Sequence, residues 1–160
     1  MRRKEREVTD TAEIRKILEK AEVLRIALNN GTYPYVIPVN FGFEMNEEQL
    51  TLFFHGAKHG TKNKLIEEDN HAAFEVDCSH MLLKPTGSES CTASFAYESV
   101  IGQGKIEMAD ESEKEKLLTL LLSHYGIETD SFNAVYLANT VVYKIHAVNY
   151  TAKRRVNDRV

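Results

Sequence analysis

The sequence predicts a mainly β fold, a closed antiparallel barrel of about six strands with a few short helices. Segments of alternating apolar and polar residues recur along the chain, and turn-forming residues separate them. Helical patterns occur only three times, whereas a doubly wound parallel sheet needs a crossover helix after almost every strand. The 160 residues, 42% of them hydrophobic, suffice for one core, so a single domain over residues 1–160 is expected.

The first half of the chain indicates a short helix followed by a hairpin. Asp10 offers an N-cap side chain to a helix whose apolar residues recur at helical spacing, namely Ile14, Ile17, Leu18 and Ala21. Strands predicted over residues 23–28 and 35–43 flank Asn29-Asn30-Gly31, which tolerates positive φ. Pro38 in the second strand has no amide hydrogen to donate, which fits an edge or bulge position. The face that carries Pro38 is a candidate ligand surface.

The second half indicates four more strands and two helices. The strands are predicted over residues 50–55, 72–76, 97–108 and 141–150, the last followed by a basic tail. One helix is predicted over residues 61–68, and a leucine-rich helix follows Asp110, whose side chain can cap it. Residues 81–94, with Pro85, Gly87 and several serines, are predicted to form an irregular surface segment that could cover a site. Gly102 and Gly104 indicate a bend or a close approach of another backbone.

Charge and hydropathy argue against several classes of partner. A formal net charge of -4 and a pI near 5.9 disfavour broad attraction to nucleic acid or acidic lipid. No run of about 18 apolar residues occurs, and no apolar stretch follows the charged N-terminus, so neither a membrane span nor a secretory signal is predicted and a cytoplasmic protein is expected. Cys78 and Cys91 lack Cys-x-x-Cys spacing, so both are expected to be free thiols and no metal site is predicted.

The segment with the most chemical potential is residues 53–62, which read Phe-Phe-His-Gly-Ala-Lys-His-Gly-Thr-Lys. It combines a strand end, two glycines, a hydroxyl and two lysines. Glycines let backbone amides approach a phosphate, the following helix N-terminus contributes positive dipole, and Lys62 contributes charge. An anion-binding loop is one interpretation. An exposed loop with ordinary surface lysines is the other.

Several motifs, in their order along the chain, resemble those of the pyridoxamine 5′-phosphate oxidase-like flavoproteins, in particular the nitroimidazole-resistance branch. The motifs are Met1-Arg2-Arg3-Lys4, Tyr35-Val36-Ile37-Pro38-Val39-Asn40-Phe41-Gly42-Phe43, Phe54-His55-Gly56-Ala57 with Gly60-Thr61-Lys62, Phe74-Glu75-Val76, and Tyr97-Glu98-Ser99-Val100-Ile101-Gly102-Gln103-Gly104. Each motif is modestly specific, but together they span most of the chain. The resemblance implies a six-stranded split barrel that forms a homodimer with FMN at the subunit interface.

The resemblance also implies which residues contact the cofactor. Pro38, Val39 and Asn40 would run along the isoalloxazine ring, and His55, Gly56 and Ala57 would line the ribityl and ring side. Thr61 and Lys62 would bind the phosphate, and Ser99 and Val100 would close the site. Thr61 stands where the family often has Arg, which exchanges a charge for a hydroxyl. The tail Thr151-Ala152-Lys153-Arg154 resembles the family's Thr-Gly-Lys-Arg ending, so Lys153 is expected near the flavin of the other subunit.

The activity that this resemblance predicts is an FMN-dependent oxidoreductase. Electrons would pass from a reduced donor, with NAD(P)H a candidate, to a small organic acceptor such as a nitroimidazole. A histidine in this motif lies beside the flavin in the nitroimidazole-resistance branch, so His55 is the candidate catalytic residue; a histidine that merely bonds a carbonyl is the alternative. Two other functions stay open: a non-catalytic flavin- or haem-binding barrel, with His55, His71 and His146 as candidate axial ligands, and pyridoxamine 5′-phosphate oxidation itself.

Overall fold

The structure is a computed structural model that describes residues 3–85 and 90–156. The helices are α1 (Thr11–Lys20), α2 (Thr61–Glu68), α3 (Lys114–His124) and α4 (Ala134–Asn139), with 3₁₀ turns at Lys4–Arg6 and Ser90–Thr92. The strands are β1 (Glu7–Val8), β2 (Leu24–Leu28), β3 (Tyr35–Val39), β4 (Phe41–Asn46), β5 (Gln49–Ala57), β6 (His71–Leu83), β7 (Ser94–Met108) and β8 (Thr140–Arg155). No helix within these ranges is long and apolar enough to cross a membrane.

The strands of the described residues form one antiparallel sheet in the order β3-β2-β6-β7-β8-β5-β4, and β1 pairs with β8. β3 and β4 are the two edges of this order, yet only Asn40 separates them along the chain. The sheet therefore curls until its two edges meet at Asn40. The predicted fold class, a mainly β antiparallel barrel with few helices, is confirmed.

The predicted number of strands is wrong, because the described residues form eight strands rather than six. The segment 35–43, predicted as one strand, is two strands: Val39 pairs with Leu24 of β2, whereas Phe41 pairs with Phe54 of β5. The partner changes at Asn40 although the alternation of side chains continues through it. The second strand that was not predicted is β1, whose Glu7 pairs with Lys153 of β8.

Three further boundaries differ from those predicted. β8 continues to Arg155, so the supposed basic tail is part of the sheet and pairs with β7. Residues 81–94 are not irregular at their ends, because Leu82 of β6 pairs with Phe95 of β7. Three residues named in the sequence analysis, Met1, Arg2 and Gly87, lie outside the described residues. Glu113 rather than Asp110 holds the N-cap position of α3. In addition, α4 was not predicted from the sequence.

Other local predictions are confirmed. The carboxylate of Asp10 caps α1 by accepting hydrogen bonds from the amides of Ala12 and Glu13, at 2.8 Å and 3.2 Å. Gly31, in the turn between β2 and β3, has a φ of +66°. Pro38 lies on an edge strand, and α2 has the bounds that its composition predicted. Gly102 marks a close approach, since a Cβ there would lie 2.6 Å from the carbonyl oxygen of Asn149.

Two apolar clusters hold the fold together. The larger one fills the barrel and includes Leu52 and Phe54, with α1 packed against it through Ile17 and Leu18. The smaller one lies on the outer face of β5 and β8, where the leucines of α3 cover Phe53 and Val142. Since successive residues of a strand face opposite sides, His55 lies on the same outer face as Phe53, beneath α3 and α4. Phe54 and Gly56 point inward.

Candidate functional site

The end of β5 and the β3–β4 junction adjoin each other. Phe41 of β4 pairs with Phe54 of β5, so Asn40 and His55, the next residue on each side of this pair, lie opposite each other. The amide of Phe41 donates a 3.0 Å hydrogen bond to the hydroxyl of Tyr125, which in turn donates to the carbonyl of Glu22 at 2.8 Å. Tyr125 therefore fixes the bend at which the sheet closes. The structure brings the predicted residues 38–40 and 55–57 to one end of the barrel.

Lys62 is the principal charge at this end. Its side chain lies across Gly56, where a Cβ would stand only 3.2 Å from the Lys62 Cε and closer still to its ammonium. The Lys62 Nζ is buried without a hydrogen-bond partner among the described residues. It lies 4.9 Å from the ring centroid of Tyr143 and 5.7 Å from that of Phe54. Burial lowers the Lys62 pKa, because no carboxylate offsets the cost of desolvation.

The first turn of α2 faces the same region. Gly60 holds the N-cap position and provides no side chain to cap the first amides, and Thr61 beside it is exposed. The Asn63 side chain is buried and donates a 3.0 Å hydrogen bond to the carbonyl of Ala57, which fixes the last residue of β5 against the helix. The Asn63 Oδ1 is buried and unpartnered within the described part of the chain. Two polar atoms of adjacent residues thus lack partners here.

His55 faces a different space from that of Lys62. It lines an apolar pocket of about 180 Å³ on the outer side of β5, roofed by α3 and α4. Burial lowers the His55 pKa from its ordinary value, and the positive charge of Lys62 lowers it further. The lowered pKa favours the neutral imidazole, which can donate or accept a hydrogen bond without carrying charge.

The remaining predicted site residues lie elsewhere in the chain. Ser99 pairs with Lys153 and Val100 with Ala152 near the far end of β8, whereas His55 pairs with Val142 near its start. From residue 142 to residue 153 the path along the strand is roughly 36 Å at about 3.3 Å per residue, and the strand bends at the register shift between Ala147 and Asn149. The Val100 side chain is completely buried in the barrel core, and Ser99 is buried on the opposite face of β7. A single chain does not bring this group to the Lys62 group.

The two other histidines considered as haem ligands have neighbours of their own. The Nδ1 of His71 lies 2.7 Å from a carboxylate oxygen of Asp69, and the Nε2 of His146 lies 3.0 Å from one of Glu107. Hydrogen bonds from the backbone and the side chain of His71 are the main reason why the Asp69 pKa falls to about 2. The Nδ1 of His146 also lies 3.4 Å from the Thr51 hydroxyl, so both of its ring nitrogens are engaged. These contacts favour structural pairing over axial ligation.

Sequence reasoning missed Asn63, Tyr143 and the pocket beside His55. Asn63 could have been noticed as a polar residue in the first turn of a helix that follows a glycine-containing loop. Tyr143 had no local signal, since it reaches Lys62 only because β8 pairs with β5. The roof of the pocket depends on α4, which the sequence reading did not identify.

The family model "Pyridoxamine 5′-phosphate oxidase" matches residues 10–154. A candidate 5-nitroimidazole antibiotic resistance protein from Bacteroides thetaiotaomicron is 26% identical, with a TM-score of 0.77 and coverage of 92% of this chain and 85% of that one. No curated protein sequence matches the chain.

Two more distant structures share the fold. An FAD and heme binding protein from Mycobacterium smegmatis is 20% identical, with a TM-score of 0.79 and coverage of 95% of this chain and 74% of that one. A candidate pyridoxamine 5′-phosphate oxidase from Listeria innocua is also 20% identical, with a TM-score of 0.56 and coverage of 88% and 95%. At this identity the likeness concerns the fold alone.

Proposed function

The chain belongs to the pyridoxamine 5′-phosphate oxidase family, and from this premise we propose that it is an FMN-dependent oxidoreductase that works as a homodimer. It would pass electrons from a reduced donor such as NAD(P)H to a small organic acceptor, of which a nitroaromatic is our first candidate. Membership of a family does not define a reaction, since function resides in the site. The proposal therefore depends on whether the described residues fit the cofactor.

The buried ammonium of Lys62 carries the proposal. A charge without a partner in a partly dry site costs several kcal/mol, so an anion that pairs with it gains more than it would at an exposed lysine. The first amides of α2 have no side-chain cap, and they lie at the N-terminus of the helix, where the helix dipole favours anions. A phosphate monoester would accept hydrogen bonds from the ammonium, from these amides and from the Thr61 hydroxyl. The donor set fits the phosphate of FMN.

The β3–β4 junction fits the ring of the cofactor. β3 and β4 are edge strands, so half of their backbone groups have no partner in the sheet and are free to meet polar ring atoms. The Val39 side chain packs against the core, which leaves its backbone for this role, while Pro38 and Asn40 are exposed. FMN, when bound, would supply the electron transfer, and His55 would donate a proton to the acceptor or orient it.

A second chain would complete the site. The outer face of β3, β6 and β7 carries large apolar side chains that are more than half exposed, namely Val36, Leu82, Phe95 and Ile101. The ion pairs of Arg25 with Glu75 and Asp77 lie between Val36 and Ile101, so this face mixes apolar and charged groups, and a symmetric partner would cover both. The same partner would offer Lys153 and the backbone at Ser99 and Val100, whose side chains are buried, to a cofactor held at Lys62 of the first chain.

The absorption spectrum of the purified protein is the first test. Bound flavin gives bands near roughly 370 and 450 nm, whereas a Soret band without these flavin bands would indicate a haem-binding barrel and refute the proposal. Anaerobic reduction by NADH or NADPH, followed by reoxidation with a nitroaromatic, tests turnover. Reduction by neither donor would favour a flavin-binding protein without this activity. Oxidation of pyridoxamine 5′-phosphate, assayed in parallel, would reassign the acceptor.

Lys62→Ala tests the cofactor site directly. Loss of one charge-assisted contact of about 1.5 to 3 kcal/mol should weaken FMN binding roughly 10- to 150-fold. Lys58→Ala is the matched control, because Lys58 lies in the same loop but is exposed. FMN binding that is equal in the two variants would mean that the phosphate lies elsewhere.

Light scattering tests the dimer. Ile101→Asp places a charge on the proposed interface and should shift the protein toward the monomer. Ile127→Asp is the control, since Ile127 is about equally exposed but lies outside the sheet face. A native protein that is monomeric with bound FMN would contradict the shared site.

A further inference from the structure

The C-terminal end of α3 is attached to the place where the sheet closes. Tyr125, the first residue after this helix, accepts a 3.0 Å hydrogen bond from the amide of Phe41 and donates a 2.8 Å hydrogen bond to the carbonyl of Glu22. Phe41 begins β4, one edge of the sheet, and Glu22 lies two residues before β2, which pairs with the other edge strand, β3. One hydroxyl therefore bridges the two edges.

A hydroxyl is the group that this position requires. The amide of Phe41 can only donate a hydrogen bond and the carbonyl of Glu22 can only accept one, whereas a phenol does both. β4 has no strand beyond it in the described part of the sheet, so the Tyr125 hydroxyl takes the place of a strand as partner of the Phe41 amide. Phenylalanine at position 125 would fill the same space and leave this amide without its partner.

Other contacts hold Tyr125 in place. The His124 Nε2 lies 2.8 Å from the carbonyl oxygen of Ala21, and since a carbonyl only accepts, this nitrogen donates. The His124 ring packs on that of Phe41, with 4.6 Å between their centroids. Gly126, with a φ of +70°, ends the helix directly after Tyr125. Loss of the Tyr125 hydroxyl alone should therefore leave α3 docked on the barrel.

The amide that Tyr125 holds belongs to the peptide bond between Asn40 and Phe41. A peptide bond is planar, so a fixed N–H direction at Phe41 also fixes the carbonyl of Asn40. Val39 pairs with β2 and Phe41 pairs with β5, but Asn40 belongs to neither ladder and is exposed. The Tyr125 hydroxyl thus orders the residue of the β3–β4 junction that the sheet does not hold.

We propose that Tyr125 is a positioning residue for the flavin ring, and that it acts through the Phe41 amide on the backbone of Asn40. This role rests on the proposed function, because it presupposes bound flavin. Without the hydroxyl, the Asn40 peptide would sample orientations that do not match the ring, which lowers the binding-competent fraction and the apparent affinity together. The phosphate contacts at Lys62 and α2 do not involve Tyr125 and should stay intact.

The experiment compares FMN with riboflavin, which has the same ring and ribityl chain but no phosphate. Dissociation constants are measured on flavin-free protein by quenching of flavin fluorescence. In Tyr125→Phe both flavins should bind about fivefold to tenfold more weakly, so that the ratio of their affinities stays within about twofold of the native ratio. Lys62→Ala should instead weaken FMN alone and change the ratio. A Tyr125→Phe effect confined to FMN would overturn the positioning role.

Tyr150→Phe is the matched control. The Tyr150 hydroxyl donates a 2.9 Å hydrogen bond to the carbonyl of Glu48, in the turn between β4 and β5, so this variant also loses one phenol contact with the backbone. It should leave both flavin affinities within about twofold of the native values. Equal weakening by the two tyrosine variants would reduce the role of Tyr125 to general stability and overturn the proposal.

Hydrogen exchange of the flavin-free protein tests the contact itself. The Phe41 amide should exchange slowly in the native protein and about tenfold faster in Tyr125→Phe. Fast exchange in the native protein, or flavin affinities that Tyr125→Phe leaves unchanged, would overturn the positioning role alone. A native protein that binds neither flavin would remove the proposed oxidoreductase function and this role with it.

Discussion

Substitution of Glu98 by Gln should destabilise the protein strongly and in a pH-dependent way. The Glu98 side chain is 8% exposed, and its carboxylate accepts hydrogen bonds from the Ser79 hydroxyl at 2.7 Å, the Lys20 ammonium at 2.9 Å and the Arg154 guanidinium at 2.5 Å. Burial alone would raise the Glu98 pKa, but these donors outweigh it and lower the pKa to about 2. The carboxylate of Glu98, on β7, thus links this strand to α1, β6 and β8.

The size of the effect follows from the pKa. A fall from 4.5 to about 2 corresponds to roughly 3 kcal/mol at about 1.4 kcal/mol per pKa unit. Because the folded pKa is depressed, this stability is fully present above pH 4.5 and is lost as the pH falls through about 2. The variant lacks it at every pH. The difference in unfolding free energy between native protein and variant should therefore be about 3 kcal/mol at pH 7 and should shrink steadily as the pH falls, to roughly 1 kcal/mol near pH 3.

Urea unfolding followed by circular dichroism over this pH range measures the difference. Glu19→Gln is the control, because Glu19 is an exposed carboxylate on α1 and its loss removes the same formal charge. Other carboxylates titrate in the same range, and taking the difference from the native protein cancels them. A difference below about 0.5 kcal/mol at pH 7, or one that stays constant down to pH 3, would refute the reasoning about Glu98.

Three further predictions concern the site and the sheet. Gly56→Ala should reduce FMN retention about as far as Lys62→Ala does, because the new methyl group takes the place of the ammonium; flavin content after gel filtration measures this, and full retention would contradict it. Gly102→Ala should lower the unfolding free energy by about 1 to 3 kcal/mol, because its Cβ meets the Asn149 carbonyl in the middle of the sheet, and urea unfolding would show this. In flavin-free protein the His55 ring protons should titrate below their ordinary pH in NMR spectra, and Lys62→Met should move the midpoint upward by removing the nearby charge. A midpoint that Lys62→Met leaves unchanged would mean that burial alone lowers the His55 pKa.

The sequence predicted helix caps, turns and helix bounds, because these features depend on residues that are close together along the chain. Asp10 caps α1, Gly31 turns the first hairpin, and the bounds of α2 follow from its composition. The sequence does not show where a strand changes its partner. The alternation of side chains runs unbroken through Asn40, and only the pairing of Phe41 with β5 ends one strand and begins the next.

The end of β8 was misread for a related reason. Lysine and arginine suggest a solvated tail, but Arg154 reaches Glu98 and also Glu13, residues 56 and 141 positions away along the chain. A charged residue becomes part of a strand when distant carboxylates neutralise it, and no local pattern reports those partners. The motif at residues 53–62 predicted Lys62 from its neighbours in sequence, whereas Tyr143 and the pocket of His55 come from long-range pairing.

The layout of β8 bears on how a cofactor could contact all of the predicted residues. Val142 beside His55 and Lys153 beside Ser99 lie at opposite ends of this strand, about 36 Å apart along its length. A rigid sheet cannot bring these ends together without breaking its ladder. Either Ser99 and Lys153 have no role at the flavin, or a second chain presents them to the Lys62 end of the first. Lys153→Ala separates these cases, because it should weaken FMN binding only in the dimer and should have no effect in an Ile101→Asp monomer.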